Sequence, residues 1–362
     1  MNASLTATAT IPTWVFGAKG MLAGELLRLL DLHPGLELRG AVSRSEQGVV
    51  EAHPHLVTRA RTCNADEARA QIAEVLARGE QAVAFLALPH GESASLWTKL
   101  SSELGALADN LYLVDLAADF RIANPARYQQ AYGHPHPAPT ELARFTYGLV
   151  ELHRDAIARS RRVAAPGCFA TALQLACVPA ARAKLLDTAR PWILHGITGS
   201  SGSGVEPKPG THHPWRHANM WAYSLDGHRH EAELAQAVEP FGAVPPIHFV
   251  AHSGPMARGI HLTAALPLAR KVTSAEARAV YAELFAGSTF VEVLDGKVPD
   301  LRSISASNRA QVAVHVRGDV LNVLCTLDNM TKGGAGQALQ CLNVMLGFPE
   351  HWGLPRAGLG VN

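Results

Sequence analysis

The stretch Ile11-Pro12-Thr13-Trp14-Val15-Phe16-Gly17-Ala18-Lys19-Gly20-Met21-Leu22-Ala23-Gly24 decides the fold. Its first six residues form a short apolar run that ends in glycine. From Leu22 to Leu32 apolar residues recur at helical spacing, with Glu25 early and His33-Pro34-Gly35 as the stop. Leu36 to Ser43 reads as the next strand. Strand, glycine turn, helix and strand open a doubly wound parallel sheet. Glycines at such a turn let the backbone approach a pyrophosphate, and the helix N-terminus offers N–H groups to an anion. Gly17, Ala18, Lys19, Gly20, Met21 and Leu22 are therefore candidate nucleotide contacts. A purely structural turn is the plainer alternative, but the placement between strand and helix favours the nucleotide. Where an NAD enzyme places an acid for the ribose hydroxyls, this chain has Ser43-Arg44-Ser45. A guanidinium and hydroxyls suit a 2′-phosphate, so the cofactor reads as NADP(H), with Ser43 and Arg44 as contacts.

Working outward, Ala82 to Leu88 and Leu111 to Leu116 read as two more buried strands. Each ends in a polar cluster, Pro89-His90-Gly91-Glu92 and Asp115 to Arg121. Ligands of open α/β sheets bind beyond the carboxyl ends of strands, which makes both clusters candidate walls. Asn124 to Thr140, rich in Pro, His and Tyr, reads as a loop. A second region begins near Arg162, with a strand at Val163–Ala165, a Pro166-Gly167 turn and a helix from Phe169 to Val178. Gly196 to Gly210 reads as a long functional loop. Ile247–Ala251, Gly259–Ala265, Gln311–Arg317 and Val320–Leu327 read as strands, and Ala335–Leu346 as a helix. Many strands with few helices imply a mixed, largely antiparallel sheet, so the fold class is α/β with a Rossmann domain plus an α+β domain.

The totals exclude several function classes. The 362 residues allow two domains, and 48% hydrophobic residues fit a globular chain. Lys+Arg number 32 against 31 Asp+Glu, which gives neither nucleic acid nor a membrane surface a basic face to bind. The five cysteines are odd in number and form no CxxC pair, which points to a reducing compartment and a cytoplasmic protein. No apolar run reaches the roughly 18 residues of a membrane span. Residues Met1 to Thr10 lack a basic start and an apolar stretch, so they read as a tail and not a secretory signal.

Cys168 lies in Ala164-Ala165-Pro166-Gly167-Cys168-Phe169-Ala170-Thr171-Ala172, at the expected start of a helix. The macrodipole and free N–H groups there favour a thiolate, so a lowered pKa and a nucleophilic role are expected. Gly167 leaves room for a substrate carbonyl. Cys177 and Cys341 read as buried structural cysteines. A nucleophilic thiol needs a base, and Gly227-His228-Arg229-His230 offers two imidazoles and a guanidinium. Zinc is the competing reading, with His228 and His230 joined by Glu231, Glu233 or His212-His213. No HExxH or clustered Cys/His spacing supports it, so no metal is expected.

Taken together, these segments resemble the N-acetyl-γ-glutamyl-phosphate reductases of the semialdehyde dehydrogenase superfamily. The matching pieces are Gly17–Gly20, Leu86-Ala87-Leu88-Pro89-His90-Gly91, Asp115-Leu116-Ala117-Ala118-Asp119-Phe120-Arg121, Tyr147-Gly148-Leu149, Ala165–Thr171, Gly227–His230, Arg258-Gly259-Ile260 and Asp328 to Ala338. They run in order over nearly the whole chain. The resemblance implies NADPH-dependent reduction of N-acetyl-γ-glutamyl phosphate in arginine biosynthesis. It implies Cys168 as nucleophile, His230 as acid/base, and Arg121, His228 and Arg258 as substrate contacts. Pro89, Gly91 and Asn329 would line the nicotinamide. It further implies a Rossmann domain over 1–165 completed by 329–362, a catalytic and oligomerisation domain over 166–328, and a homo-oligomer, dimer or tetramer.

Two departures stand out. Ala23 occupies the third glycine position of the phosphate turn, and alanine is small enough to keep helix and strand close. The segment Gly199 to Arg216 is unlike the commoner bacterial enzymes. It leaves open N-succinyl-glutamyl phosphate, or aminoadipyl phosphate on an acidic amino-group carrier protein, as substrates of the same chemistry. From other classes, a cysteine hydrolase or acyltransferase would need no nucleotide turn, and a nucleotide-sensing protein would need no reactive thiol.

Overall fold

The structure, a computed structural model, describes residues 10–44, 48–57 and 61–360. Residues 1–9 of the expected Met1–Thr10 tail and the Ser45 hydroxyl lie outside the described residues. The chain forms two compact units. One comprises Met1–Phe120, Pro137–Ala165 and Ala338–Leu354; the other comprises Arg121–His136, Pro166–Gln337 and Pro355–Asn362. This division differs from the expected boundaries of 1–165 with 329–362 against 166–328. Residues 121–136, 329–337 and 355–360 make their contacts within the second unit. The last of these is held there by backbone pairing of Asn308 with Pro355 and of Ser305 with Leu359.

The first unit is built on strands β1 (Ile11–Phe16), β2 (Leu36–Val42), β3 (Arg61–Cys63), β4 (Ala82–Leu86), β5 (Leu111–Asp115), β6 (Thr146–Tyr147) and β7 (Arg162–Ala164). They pair in the order β3-β2-β1-β4-β5-β7-β6, every pair parallel. Strands buried on both faces read as continuous apolar runs, and β1, β4 and β5 are buried throughout. The strand order reverses between β1 and β4, so the crevice beyond their carboxyl ends is the topological switch point. Trp14, Phe16, Leu86, Trp97 and Leu113 belong to the core on which the sheet rests.

The second unit carries β8 (Trp192–Thr198), β9 (Trp221–Tyr223), β10 (Ile247–Ser253), β11 (Ile260–Pro267), β12 (Val291–Val293), β13 (Ala310–Arg317) and β14 (Val320–Leu327). Their order is β12-β13-β14-β11-β8-β10-β9. The pairs β13/β14, β14/β11, β11/β8 and β10/β9 are antiparallel, and β8/β10 and β12/β13 are parallel. The helices Cys168–Arg182 and Ser274–Phe285 pack on the sheet and on each other, where Tyr281 Oη donates to the Ala176 carbonyl at 2.6 Å.

Two local expectations are corrected. Residues 124–140 hold a helix, Pro125–Tyr132. The Asn124 side chain caps it by accepting from the Ala126 and Arg127 N–H groups, and Gly133 closes it in the left-handed conformation. The expected loop at Gly196 begins only after Thr198, because β8 pairs with both β10 and β11 to that residue.

Candidate active site

Helix Cys168–Arg182 starts at Cys168, with Gly167 as its N-cap and no capping side chain. An uncapped helix start leaves N–H groups available near the thiol. Cys168 is half-buried, while Cys63, Cys177, Cys325 and Cys341 are buried. The Phe169 N–H hydrogen-bonds the Cys168 sulfur, and the Arg121 and Arg229 guanidiniums act on it electrostatically. All three favour the thiolate, but burial outweighs them and Glu233 opposes them, so the thiol is pushed above its ordinary value. The lowered pKa expected from the helix terminus alone is therefore corrected: desolvation wins.

Beside this turn stands His230, the first residue of helix His230–Val238 and itself buried. A Cβ on Gly167 would lie 2.2 Å from His230 Nε2, so the missing side chain at 167 is what admits the imidazole. The space expected for a substrate carbonyl is occupied by this ring. Burial, helped by His228, Arg229 and Arg121, holds the His230 imidazole well below the usual histidine range, and it is neutral at pH 7. Its Nδ1 is buried without a hydrogen-bond partner.

Glu233, one helical turn after His230, is fully buried at the centre of the cluster. Its Oε2 accepts the Gly167 N–H at 3.2 Å. Its Oε1 faces Arg121 Nη1 at 3.8 Å and His230 Nε2 at 3.9 Å. One carboxylate thus ties the residue before the thiol to the imidazole and to a buried arginine. From sequence Glu233 reads only as a zinc ligand; its i, i+3 spacing from His230 is the signal for its actual place. Among the described residues no group of three His, Cys, Asp or Glu side chains is placed to hold a metal ion.

His228 is half-buried against Phe169, Phe249 and Tyr223, with ring centroids at 5.7, 5.3 and 5.9 Å. Burial and the Arg229 charge bring its pKa down to about 4. The residues expected to grip substrate do not share one arrangement. Arg121 joins the Glu233 cluster. Arg258 instead makes a bidentate pair with buried Asp328, Nε to Oδ2 and Nη2 to Oδ1, both 2.9 Å, and donates to Thr331 Oγ1 at 2.8 Å. Asn329 is buried; its Oδ1 accepts the Gly259 N–H at 2.7 Å and its amide donates to Ser201 Oγ at 2.9 Å. Ser201 in turn donates to the Ala257 carbonyl at 2.7 Å. Within the 199–216 segment, Arg216 is buried, donates to Ser253 Oγ at 2.9 Å and to the Gly254 carbonyl, and lies over Trp221. Lys208, His212 and His213 are exposed.

In the first unit the expected nucleotide turn sits at the switch point. Gly17 has φ of +80°, and a Cβ there would lie 2.4 Å from the Ala87 carbonyl oxygen beyond β4. Helix Met21–Asp31 follows, N-capped by Gly20 with no side-chain cap and no acid in its first turn. This bare, acid-free helix start fits a pyrophosphate. Gly91 also has positive φ and caps helix Glu92–Leu104. Its N–H donates to Asp119 Oδ1 at 2.8 Å, and the Ala94 N–H to Oδ2 at 2.9 Å. His90 Nδ1 lies 2.6 Å from Asp119 Oδ1. Burial pushes the Asp119 carboxyl up, but these hydrogen bonds together hold it below the ordinary value. The Pro89–Gly91 turn is therefore pinned by an acid that had been quoted only as part of a motif. Arg44 is 86% exposed and lies 3.4 Å from Glu92.

A dinucleotide-type sheet with an uncapped glycine turn, and a separate mixed-sheet unit with a thiol, imidazole and carboxylate at one helix start, define an oxidoreductase of the semialdehyde dehydrogenase class. The model of the semialdehyde dehydrogenase NAD binding domain matches residues 13–160, and that of the dimerisation domain matches residues 168–329. An N-acetyl-gamma-glutamyl-phosphate reductase of Nitrosococcus oceani is 38% identical over 346 residues, covering 94% of this chain and 96% of that protein. That of Azotobacter vinelandii is 36% identical over 351 residues, covering 95% and 98%. The chain belongs to the N-acetyl-gamma-glutamyl-phosphate reductase family. Solved structures share the fold: aspartate semialdehyde dehydrogenase II of Vibrio cholerae has a TM-score of 0.67 at 14% identity, over 93% of this chain and 98% of that one. The Candida albicans aspartate semialdehyde dehydrogenase with NADP has a TM-score of 0.63 at 14% identity, over 93% and 99%.

Proposed function

We propose that this chain reduces N-acetyl-γ-glutamyl phosphate with NADPH to N-acetylglutamate 5-semialdehyde and phosphate, through a thioester on Cys168. The observation that carries this reading is the Gly167 opening. It sets a buried, neutral imidazole against the helix start that bears the half-buried thiol. The names of the 35–38% identical relatives support the substrate.

Neutral His230 accepts the Cys168 proton as the sulfur attacks the acyl carbonyl. The carbon–sulfur bond forms, the bond from the acyl carbon to the phosphate oxygen breaks, and the imidazolium returns the proton to departing phosphate. Glu233 steadies the imidazolium and holds the Gly167 backbone in place. Its acceptance of the Gly167 N–H removes that group as an oxyanion donor. NADPH, held at the Gly17–Leu22 turn, would supply hydride for the thioester carbonyl. The resulting thiohemiacetal oxyanion expels Cys168 as thiolate and releases the aldehyde, and a solvent proton delivered through His230 restores the thiol. The fixed arginines lower the cost of both anions, with Arg121 beside Glu233 facing the substrate's charges.

In the first unit, Gly17, Ala18, Lys19, Gly20, Met21 and Leu22 would hold the pyrophosphate, and Ser43 and Arg44 the 2′-phosphate. Pro89 and Gly91 would border the nicotinamide. His228, walled by aromatic rings, would contact substrate. Arg258 would act on substrate only indirectly, through its pair with Asp328. The second unit self-associates, as the name of its matching domain suggests. Five cysteines, none of them in a disulfide, suit the cytoplasm. Among the described residues no helix is long and apolar enough to cross a membrane.

The test compares kcat/KM for N-acetyl- and N-succinyl-glutamyl phosphate and for carrier-linked aminoadipyl phosphate, with NADPH and NADH. The acetyl substrate with NADPH should win clearly, since a charged or hydrogen-bonding pocket discriminates such groups by several kcal/mol. Preference for another acyl group would overturn the substrate and leave the chemistry standing. Full turnover by Cys168→Ala would overturn the thioester.

A further inference from the structure

We propose that His53 is a positioning residue of the cofactor site: its imidazole holds the Ala18 carbonyl and so keeps the turn after β1 in the shape that receives the pyrophosphate of NADPH. The proposal rests on the reading that Gly17 to Leu22 hold that pyrophosphate, and adds the distant group that shapes them.

His53 lies 35 residues beyond Ala18 and ends the short helix Val49–Ala52. Its place is set from several sides. Its N–H donates to the Val49 carbonyl at 2.9 Å, and its carbonyl accepts the Leu56 N–H at 2.9 Å. The Val49 N–H reaches Thr62 Oγ1 on β3 at 3.3 Å. Val49, Leu56 and His53 itself are buried. From this seat His53 Nε2 lies 2.8 Å from the Ala18 carbonyl oxygen. A carbonyl oxygen only accepts, so Nε2 carries the hydrogen and the ring donates. Burial holds the imidazole below the ordinary histidine range; the Ala18 bond raises it and nearby His55 lowers it, each by less. The donor is therefore neutral at pH 7, and its bond needs no charge.

Gly24 makes room for the ring. A Cβ there would lie 2.6 Å from His53 Nδ1 and 2.7 Å from Cε1. The sequence departs from the usual phosphate turn at this place, with Ala23 at the third glycine position and glycine one residue later. The imidazole is what the displaced glycine admits. Gly24 lies inside helix Met21–Asp31, so the demand is for space and not for backbone freedom.

The Val42 carbonyl accepts the Gly17 and Ala18 N–H groups, each at 3.1 Å, and the Gly20 N–H returns to the Gly17 carbonyl at 3.2 Å. With its carbonyl on His53, Ala18 is held at both backbone polar groups. The chain then runs through Lys19 and Gly20 into the uncapped helix start. Ala18 is fully buried, so without the imidazole its carbonyl would lie unpaired or turn toward another donor. Either change moves the N–H groups that an anion needs, and a carbonyl swung toward the pyrophosphate repels it. The imidazole acts through the turn, so its effect falls on cofactor affinity and not on the reduction step.

Fluorescence titration of the full chain with NADPH, with kcat and both KM values on the same preparations, tests this. His53→Ala should raise the NADPH Kd roughly tenfold, the scale of one lost hydrogen bond to a buried carbonyl. kcat at saturating NADPH and KM for the acyl phosphate should stay within about twofold of wild type. His53→Gln, whose amide can donate from near the position of Nε2, should recover most of the affinity. Gly24→Ala should weaken NADPH about as much as His53→Ala by crowding the ring, although alanine is the better helix former. Added to His53→Ala, Gly24→Ala should change almost nothing, because the ring it crowds is gone. If His53→Ala does not fold, His53→Gln and Gly24→Ala are compared, and only the second should bind weakly. Met21→Glu tests the underlying reading, since it sets a carboxylate at the exposed helix start without harming the helix, and it should weaken NADPH. Wild-type affinity in Met21→Glu overturns the turn as the pyrophosphate site. Weak binding by Met21→Glu beside wild-type affinity in His53→Ala, or in Gly24→Ala, overturns His53 alone. A loss that His53→Gln does not recover, or a fall in kcat that matches the loss of affinity, makes His53 a packing residue and overturns its positioning role.

Discussion

The Nε2 atom of His230 stands 2.2 Å from the point where a Cβ on Gly167 would be. No side chain of any size can occupy 167 with the imidazole where it is. The ring, the Gly167 N–H and the two oxygens of Glu233 form one packed group, so a change at 167 moves the proposed base without touching thiol or cofactor turn.

Gly167→Ala should therefore lower kcat by about 10²-fold, the scale of a misplacement near 1 Å, with cofactor affinity unchanged. Gly167 itself has ordinary extended backbone angles, so alanine adds no torsional strain. Pre-steady-state reduction and NADPH binding on one preparation decide it. Wild-type kcat would show that the ring is not needed in this position.

Alkylation of Cys168 should be slow at neutral pH and rise steeply as pH passes its ordinary value of about 8.5, because burial raises the thiol in the free protein. It should still react before Cys177 and Cys341, which are fully buried. The order follows access and not acidity. Mass mapping after timed iodoacetamide exposure measures both. A labelling rate already saturated at pH 7 would mean a thiolate that this geometry does not produce.

Elements with local causes were legible. The glycine turn after β1 announces itself through a strand before and a helix after, and the Cys168 helix start through Pro166-Gly167. Helix Pro125–Tyr132 was obscured because Pro, His and Tyr dominate its composition, though Asn124-Pro125 and Gly133 are ordinary start and stop signals. What depends on distant chain was not legible. Asp328 meets Arg258 across 70 residues, and Glu233 meets Gly167 across 66. The Cys168 pKa reversed for the same reason. A helix terminus is visible in sequence, but the burial that outweighs it is a tertiary property.

Acid should destabilise the protein through its buried imidazoles. His228 sits near 4 when folded and His230 well below 6.5, so the unfolded chain binds more protons as pH falls from about 6.5 toward 4. Stability from these groups is full above that window and lost through it. His228→Asn/His230→Asn should flatten the fall in Tm between about pH 6.5 and 4.5, though His33 and His153, also lowered, keep part of the slope. A slope equal to wild type would assign the acid sensitivity to other groups.

Arg44→Asp should move cofactor preference from NADPH toward NADH, mainly through cofactor KM, since the contact is remote from the reacting carbon. Arg44 is exposed and only loosely paired with Glu92, so its loss should leave Tm within about 1 °C of wild type, as expected for a surface pair of little worth. An unchanged NADPH/NADH ratio would mean that the guanidinium never meets the 2′-phosphate.

Arg258 separates two roles that sequence could not. As a substrate anchor, its loss would raise KM and leave the fold intact. Its geometry argues otherwise. Two of its nitrogens are spent on the buried Asp328, whose oxygens also accept the Met330 N–H at 2.8 Å, the Thr331 N–H at 3.0 Å and the Ala306 N–H at 2.6 Å. Asp328 thus gathers the turn that presents Asn329 and begins the π-helical segment Thr331–Ala335. Arg258→Met keeps the stem and strips the charge, leaving that carboxylate buried with only backbone donors. Removing one member of a buried pair costs roughly 3–5 kcal/mol, and the remaining N–H bonds place the expected loss near the lower end. Arg258→Lys should recover little of it, because an ammonium cannot reproduce the two parallel bonds. Urea unfolding of wild type and both variants, with KM for the acyl phosphate on the same samples, distinguishes the roles. A stability loss of about 3 kcal/mol makes Arg258 a strut for the Asn329 turn, whereas unchanged stability with a raised KM would return it to the substrate.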